Sequence, residues 1–180
     1  MRVIISESQL RQIIENESNE RLLEVSVDEF LSAENVIIKQ CKKQGYDGIK
    51  IIGNWEIVYP RVSLRQIKKI LNEVVVVDGH FNIIPDMWDT NYDFKPVELG
   101  TLGNLRKVTG SLEVSGFILN TLDKLEEVGD DLWLFGTQIE NFDIKPNVKG
   151  DLYIKNSSLV ELSDKEIRDK INVGGEIIRI

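Results

Sequence analysis

The sequence predicts an α+β chain in which N-terminal helices and a β-hairpin lead into a short solenoid with a parallel sheet. Three observations carry this expectation. Val108, Val128 and Val148 recur every 20 residues, each opening the pattern V-x-G-x-L-x-V or a close variant. Ser6 with Gln9, and Ser26 with Glu29, stand in the relation of a helix capping box. Two short apolar runs, residues 49–52 and 55–59, flank Gly53-Asn54, a tight-turn dipeptide.

In the first helix Leu10, Ile13 and Ile14 share one face. The second sets Val27, Phe30, Leu31, Ile37, Ile38 and Cys41 on one stripe of a 3.6-residue period. Lys42 and Lys43 suit the negative end of that helix, and Gly45 supplies a left-handed cap. The expected hairpin follows, and Pro60 stops its second strand because it brings no backbone N–H. Ser63 with Gln66 then opens a short helix bearing Leu64, Ile67, Ile70 and Leu71. The chain thus divides into a helical and hairpin region, residues 1–62, and a solenoid, residues 63–180.

The repeat is the strongest signal in the second region. Its unit is close to L-x-x-L-x-x-L-x-x-V-x-G-x-L-x-V, with copies opening at Val77, Val108, Val128, Val148 and, more loosely, Val173. The ladder before the valine reads Leu99, Leu102, Leu105; then Leu119, Leu122, Leu125; then Ile139 and Phe142. A period of this length describes one winding per unit, each winding completing the core of its neighbour. Alternation after the valine makes one strand that turns Leu and Val inward and the residues between them outward. Gly79, Gly110, Gly150 and Gly175 share a position that calls for an unusual backbone angle or a close approach, with Asp130 the exception. Gly116, Gly136 and Asn156 share another, where the chain bends with positive φ.

Two intervals depart from the period. A loop of about residues 85–98 leaves the solenoid, carrying Pro85, Asp86, Trp88, Asp89, Tyr92, Asp93 and Pro96. Between Leu162 and Val173 five extra residues begin a helix, capped by Ser163 and running through Ile171. Residues 172–180 read as a capping turn in which Arg179 replaces the second inward residue.

The segment opening at Val148, with Gly136-Thr137-Gln138-Ile139 before it and Val173-Gly174-Gly175 after it, resembles the short leucine-rich-type repeats of bacterial and phage proteins. The resemblance covers roughly residues 99–180, and the opening residues 4–10 also look like the start of many small phage proteins. It implies a leucine-rich-repeat-like solenoid that presents a surface to a partner, and it implies no reaction. Locally, Gly45-Tyr46-Asp47-Gly48-Ile49, Glu56-Ile57-Val58 and Gln66-Ile67 are similar to the closing segment of phage-associated ADP-ribosyltransferase-like domains. That family's arginine and serine strands have no counterpart in this chain, so no catalytic residue is carried over.

Composition narrows the function. Acidic residues number 30 against 22 basic ones, a formal charge of −8, which disfavours tracking along a nucleic-acid backbone. One cysteine and one histidine exclude an internal disulfide framework and most zinc or Ser-His centres. The longest apolar run, residues 74–77, is far short of the roughly 20 residues of a membrane span. No secretory segment is visible, which points to the cytoplasm of a cell, or to a virion if the chain is phage-encoded. His80 falls at an outward position with no readable partner and reads as an ordinary surface histidine. Asp86, Asp89 and Asp93 lack the spacing of a calcium loop and read as solvated carboxylates. Cys41 reads as a small buried hydrophobe.

The outward columns are more informative. Stacking the units sets Glu113, Trp133, Tyr153 and Ile178 side by side, with Ser111, Asp131, Asp151 and Glu176 in a second column and Ser115, Phe135 and Lys155 in a third. Exposed aromatics edged with carboxylates have the composition of a protein-binding patch. The expected function is a non-enzymatic protein-interaction module without cofactor, metal or catalytic residue. Its binding residues are Glu113, Asp131, Trp133, Phe135, Asp151, Tyr153 and Lys155, facing a protein partner with a basic and apolar surface. Neither nucleic acid nor membrane is an expected partner, and the oligomeric state is left open. The alternatives are a structural virion or assembly component, and an ADP-ribose-type nucleotide binder or enzyme remnant in the N-terminal region.

Overall fold

In the computed structural model, which describes residues 20–86 and 96–179, every paired strand runs parallel to its neighbours. The chain is α+β, with three helices and three sheets among the described residues. Chain order runs β1 (Leu22–Ser26), α1 (Val27–Gln44), β2 (Gly48–Ile52), β3 (Trp55–Tyr59), α2 (Leu64–Leu71), β4 (Val74–Asp78), β5 (Phe81–Pro85) and β6 (Val97–Gly100). The repeat units then supply β7 (Lys107–Val108), β8 (Leu112–Val114), β9 (Phe117–Thr121), β10 (Glu127–Val128), β11 (Leu132–Trp133), β12 (Gln138–Asn141), β13 (Asn147–Val148) and β14 (Leu152–Tyr153). Last come α3 (Asp164–Lys170), β15 (Asn172–Val173) and β16 (Ile177–Ile178).

Each unit from β2 onward contributes one strand to a seven-stranded sheet, β1-β2-β4-β7-β10-β13-β15, and one to a six-stranded sheet, β16-β14-β11-β8-β5-β3, while β1 joins only the first. A three-stranded sheet, β12-β9-β6, makes a third side. The valine register anticipated from the 20-residue period is present: Val77 pairs with Val108, Val108 with Val128, Val128 with Val148 and Val148 with Val173. The column continues upstream through Ile51 and Val25. Inside it, Leu112, Val114, Leu132, Leu134, Leu152 and Ile154 are buried, as are the ladder residues Leu99, Leu102, Leu105, Leu119, Leu122 and Leu125. One core runs from Phe30 to Val173.

Three expectations are corrected. The hairpin at residues 49–52 and 55–59 does not form. β2 pairs with β1 and β4, while β3 lies in a different sheet and pairs with β5. The reason is legible in retrospect: Ile51-Ile52-Gly53-Asn54-Trp55-Glu56-Ile57 is itself a copy of the V-x-G-x-L-x-V unit, and the chain turns a corner at Gly53. The local segment resembling a transferase, residues 45–67, is therefore β2, β3 and the first turn of α2. Secondly, V-x-G-x-L-x-V is two strands in two sheets, broken at the glycine. Close approach governs that position at Gly150, where a Cβ would lie 2.3 Å from Asp131 Oδ1 and 2.8 Å from the Asp130 carbonyl carbon, whereas Gly53 and Gly79 hold the same place with positive φ, 115° and 152°. The other glycine position also uses positive φ, at 73° for Gly116, 60° for Gly136 and 56° for Asn156.

Thirdly, Leu31 does not share the buried stripe of its helix. α1 breaks its period at Ala33 (φ −143°, ψ 28°), which leaves Leu31 61% exposed while Phe30, Ile37, Ile38 and Cys41 pack inward. The ends of α1 match expectation: Ser26 and Glu29 close a capping box, and Gly45 adopts the left-handed conformation. α1 covers the first winding through Phe30, whose ring meets Trp55 edge-on at 5.4 Å, and Trp55 stacks on Phe81 at 5.2 Å. α2 and α3 stand where other units place the third strand, each begun by a serine cap, Ser63 and Ser163. At the far end, Arg179 occupies the inward column and donates to the Leu162 carbonyl at 2.9 Å while pairing with Asp164 at 2.7 Å. The expected first helix around Ser6, and Trp88, Asp89, Tyr92 and Asp93, lie outside the described residues. No described helix is long and apolar enough to cross a membrane.

Candidate partner-binding face

Strand register sets the outward face of the six-stranded sheet. Glu56, Asn82, Glu113, Trp133, Tyr153 and Ile178 are successive register partners, so their side chains form one column at the strand spacing of about 4.8 Å. Within it, Trp133 and Tyr153 stack face to face, centroids 3.7 Å apart and planes inclined by 5°. Phe135, just past β11, stands edge-on to both, at 5.3 Å from Trp133 and 6.3 Å from Tyr153. All three rings are half-buried. Stacking of this kind is worth about 0.5–1.5 kcal/mol beyond area burial. Each ring of the stacked pair keeps one face not covered by the other.

The corner before this column carries a second series with a structural task. Asn54, His80, Ser111, Asp131, Asp151 and Glu176 hold the same place in successive units. The side chain of one accepts from the backbone N–H of the next: Asn54 Oδ1 from His80 at 2.9 Å, and His80 Nδ1 from Ser111 at 2.9 Å. Likewise Asp131 Oδ1 accepts from Asp151 at 2.8 Å and Asp151 Oδ1 from Glu176 at 2.7 Å. Between these rungs the Ser111 hydroxyl donates to Asp130 at 3.1 Å. His80, expected to stand unpartnered, is thus a spacer between units. Its Nδ1 must lack a proton to accept.

Charge distinguishes the faces. On the seven-stranded sheet, Lys50 pairs with Glu24 at 3.1 Å and Asp78 at 3.7 Å, and Glu127 pairs with Lys149 at 2.7 Å and Lys107 at 3.6 Å. On the six-stranded sheet, none of the ion pairs formed by described residues reaches Glu113, Asp131, Asp151 or Glu176. The Tyr153 phenol is accordingly pushed above its ordinary value, by loss of hydration first and then by the carboxylates of Asp131, Asp151, Asp130 and Glu176. Lys155 is exposed at the end of the Phe135 column.

All seven expected binding residues therefore lie on one face and its two flanking corners. Sequence reasoning missed the cavity beside them, of about 470 Å³, lined by Ile84, Pro85, Ser115, Gly116, Phe135 and Gly136 among others. The signal was available: Ile84, Ser115, Phe135 and Lys155 each stand seven residues after the unit's valine, and Ser115 is the small member between two bulky ones. Among the other candidates, Asp86 is held by Arg61 at 2.9 Å, and Cys41 is buried with its thiol pushed up by loss of hydration first and then by Glu73. The described residues contain no group of three or more His, Cys, Asp or Glu arranged to hold a metal ion. No family model matches the chain, and no curated protein or solved structure matches it.

Proposed function

We propose that the stacked units form a short leucine-rich-type solenoid that acts as a non-enzymatic protein-interaction module, through the outward face of the six-stranded sheet. The observation that supports this reading is the half-exposed Trp133–Tyr153 stack with Phe135 against it, on a face where Glu113, Asp131, Asp151 and Glu176 form no ion pair among the described residues. Aromatic clusters of this type dominate binding energy at protein interfaces, since they bury large area at little loss of rotamer freedom. The carboxylates of this face set the preference for a basic and apolar protein surface and speed its approach. A cytoplasmic setting, without membrane or nucleic acid, fits the acidic charge and the lone thiol.

Affinity capture from a lysate with the wild-type chain and with a Trp133→Ala, Tyr153→Ala variant tests this reading. The alanine variant is expected to melt at a somewhat lower temperature, since the stack is lost, yet to remain folded at the capture temperature and to lose a defined subset of captured proteins. An identical captured set would overturn it.

A further inference from the structure

The cavity beside Phe135 has a construction that the repeat alone does not require. In the outward column Val58, Ile84, Ser115, Phe135, Lys155, the third member is a serine between isoleucine and phenylalanine. In the next column the corresponding residues are Pro85, Gly116, Gly136 and Asn156, two of them without side chains. The result is a slot with walls of Ile84 and Pro85 on one side and Phe135 on the other, floored by Ser115, Gly116 and Gly136. Glu113 stands at its rim, where its Oε1 accepts from the Ser115 hydroxyl at 2.8 Å, so the carboxylate is oriented in advance. Lys155 lines the slot on the far side of Phe135, two strands or about 10 Å from Glu113.

We propose that this slot receives an arginine side chain from the protein partner, its aliphatic stem between Ile84, Pro85 and Phe135 and its guanidinium on Glu113. The assignment rests on the interaction reading above and names the chemistry of its anchor. An apolar slot with one oriented carboxylate at the rim matches a side chain that is apolar along its stem and cationic at its tip. Arginine fits better than lysine because its planar group stacks on an aromatic ring while forking a carboxylate. Asp131, Asp151 and Glu176 on the adjoining face, which form no ion pair among the described residues, add charge complementarity for further basic residues of the same segment.

The test is an NMR titration of the isotope-labelled full chain with the peptide acetyl-Ala-Arg-Leu-Arg-Ala-amide, against the same peptide with norleucine for each arginine. The arginine peptide is expected to shift the amide signals of Gly116 and Gly136 saturably, with affinity falling as salt is raised. Glu113→Gln is expected to weaken binding by about tenfold, the loss of one charge-assisted bidentate contact. Ser115→Leu, which fills the slot from its buried floor, is expected to abolish the shifts, with the amide signals of Leu132 and Leu152 in the core confirming that the chain is folded. Equal binding of the norleucine peptide, or unchanged affinity in Glu113→Gln, would overturn the arginine assignment. Loss of binding in the Trp133→Ala, Tyr153→Ala variant alone, with Glu113→Gln unaffected, would also remove the slot yet leave the face as the recognition surface. Immobile Gly116 and Gly136 signals at saturating peptide, as when the chain itself or a second copy fills the slot, overturn it as well.

Discussion

His80 shows how a single side chain can be read correctly for position and wrongly for role. Its place three residues after Val77 put it outside the core, and it is exposed. Yet its Nδ1 accepts from the Ser111 N–H, the same duty that Asn54 performs for His80 one unit earlier. Replacing His80 with leucine removes the acceptor and leaves the Ser111 N–H to compete for water, so His80→Leu is expected to cost about 1 kcal/mol. His80→Asn restores an acceptor of the kind Asn54 already supplies and is expected to recover most of that loss. Denaturant unfolding of the two variants checks this, and equal stability of both would show that the rung carries nothing.

Among the elements, the helices are the best foreseen. Ser26 with Glu29 and Ser163 with Glu166 form reciprocal capping boxes at the starts of α1 and α3. In each, the serine hydrogen bond, followed by the serine backbone N–H, holds the glutamate below its ordinary pKa. A group whose pKa is depressed on folding contributes stability that is complete above its unfolded value and is lost as pH falls through the folded one. The Ser26→Ala, Ser163→Ala variant is therefore expected to be less stable than wild type at neutral pH, by about 1 kcal/mol per serine cap. The gap should narrow on acidification below the glutamate range, which unfolding midpoints measured across pH will show. Strand pairing was harder to foresee. Two apolar runs around Gly53-Asn54 satisfy the local grammar of a hairpin, and only their equivalence to later units reveals that the glycine turns a corner between sheets.

At the level of the whole molecule, successive units are joined strand to strand in parallel sheets, so each rests on its neighbours. Deleting residues 129–148 removes one complete unit and joins Val128 to Lys149 with the columns still in phase. The shortened chain is expected to fold cooperatively with a lower melting temperature. Deleting residues 129–143 puts the inward and outward columns out of step and is expected to abolish folding. Circular dichroism and thermal melting distinguish the two, and similar behaviour of both would contradict stacking by equivalent units.

Periodicity and short-range chemistry were enough to place the valine column, the buried ladder, the helix caps, the positive-φ corners and the alignment of Trp133 with Tyr153. The caps follow from short-range pairing along the chain and the rest from the place each residue holds in its unit, because units paired in register turn equivalent places into lateral neighbours. Three sheets in place of one, the absent hairpin, the exposed Leu31 and the slot beside Phe135 depend on which backbone lies opposite which. A glycine permits both a turn and a close approach, and the choice between them at Gly53 or Gly150 rests with the neighbouring winding. A cavity likewise arises from what adjacent units leave empty, as at Ser115 and Gly116, and no single unit carries that information.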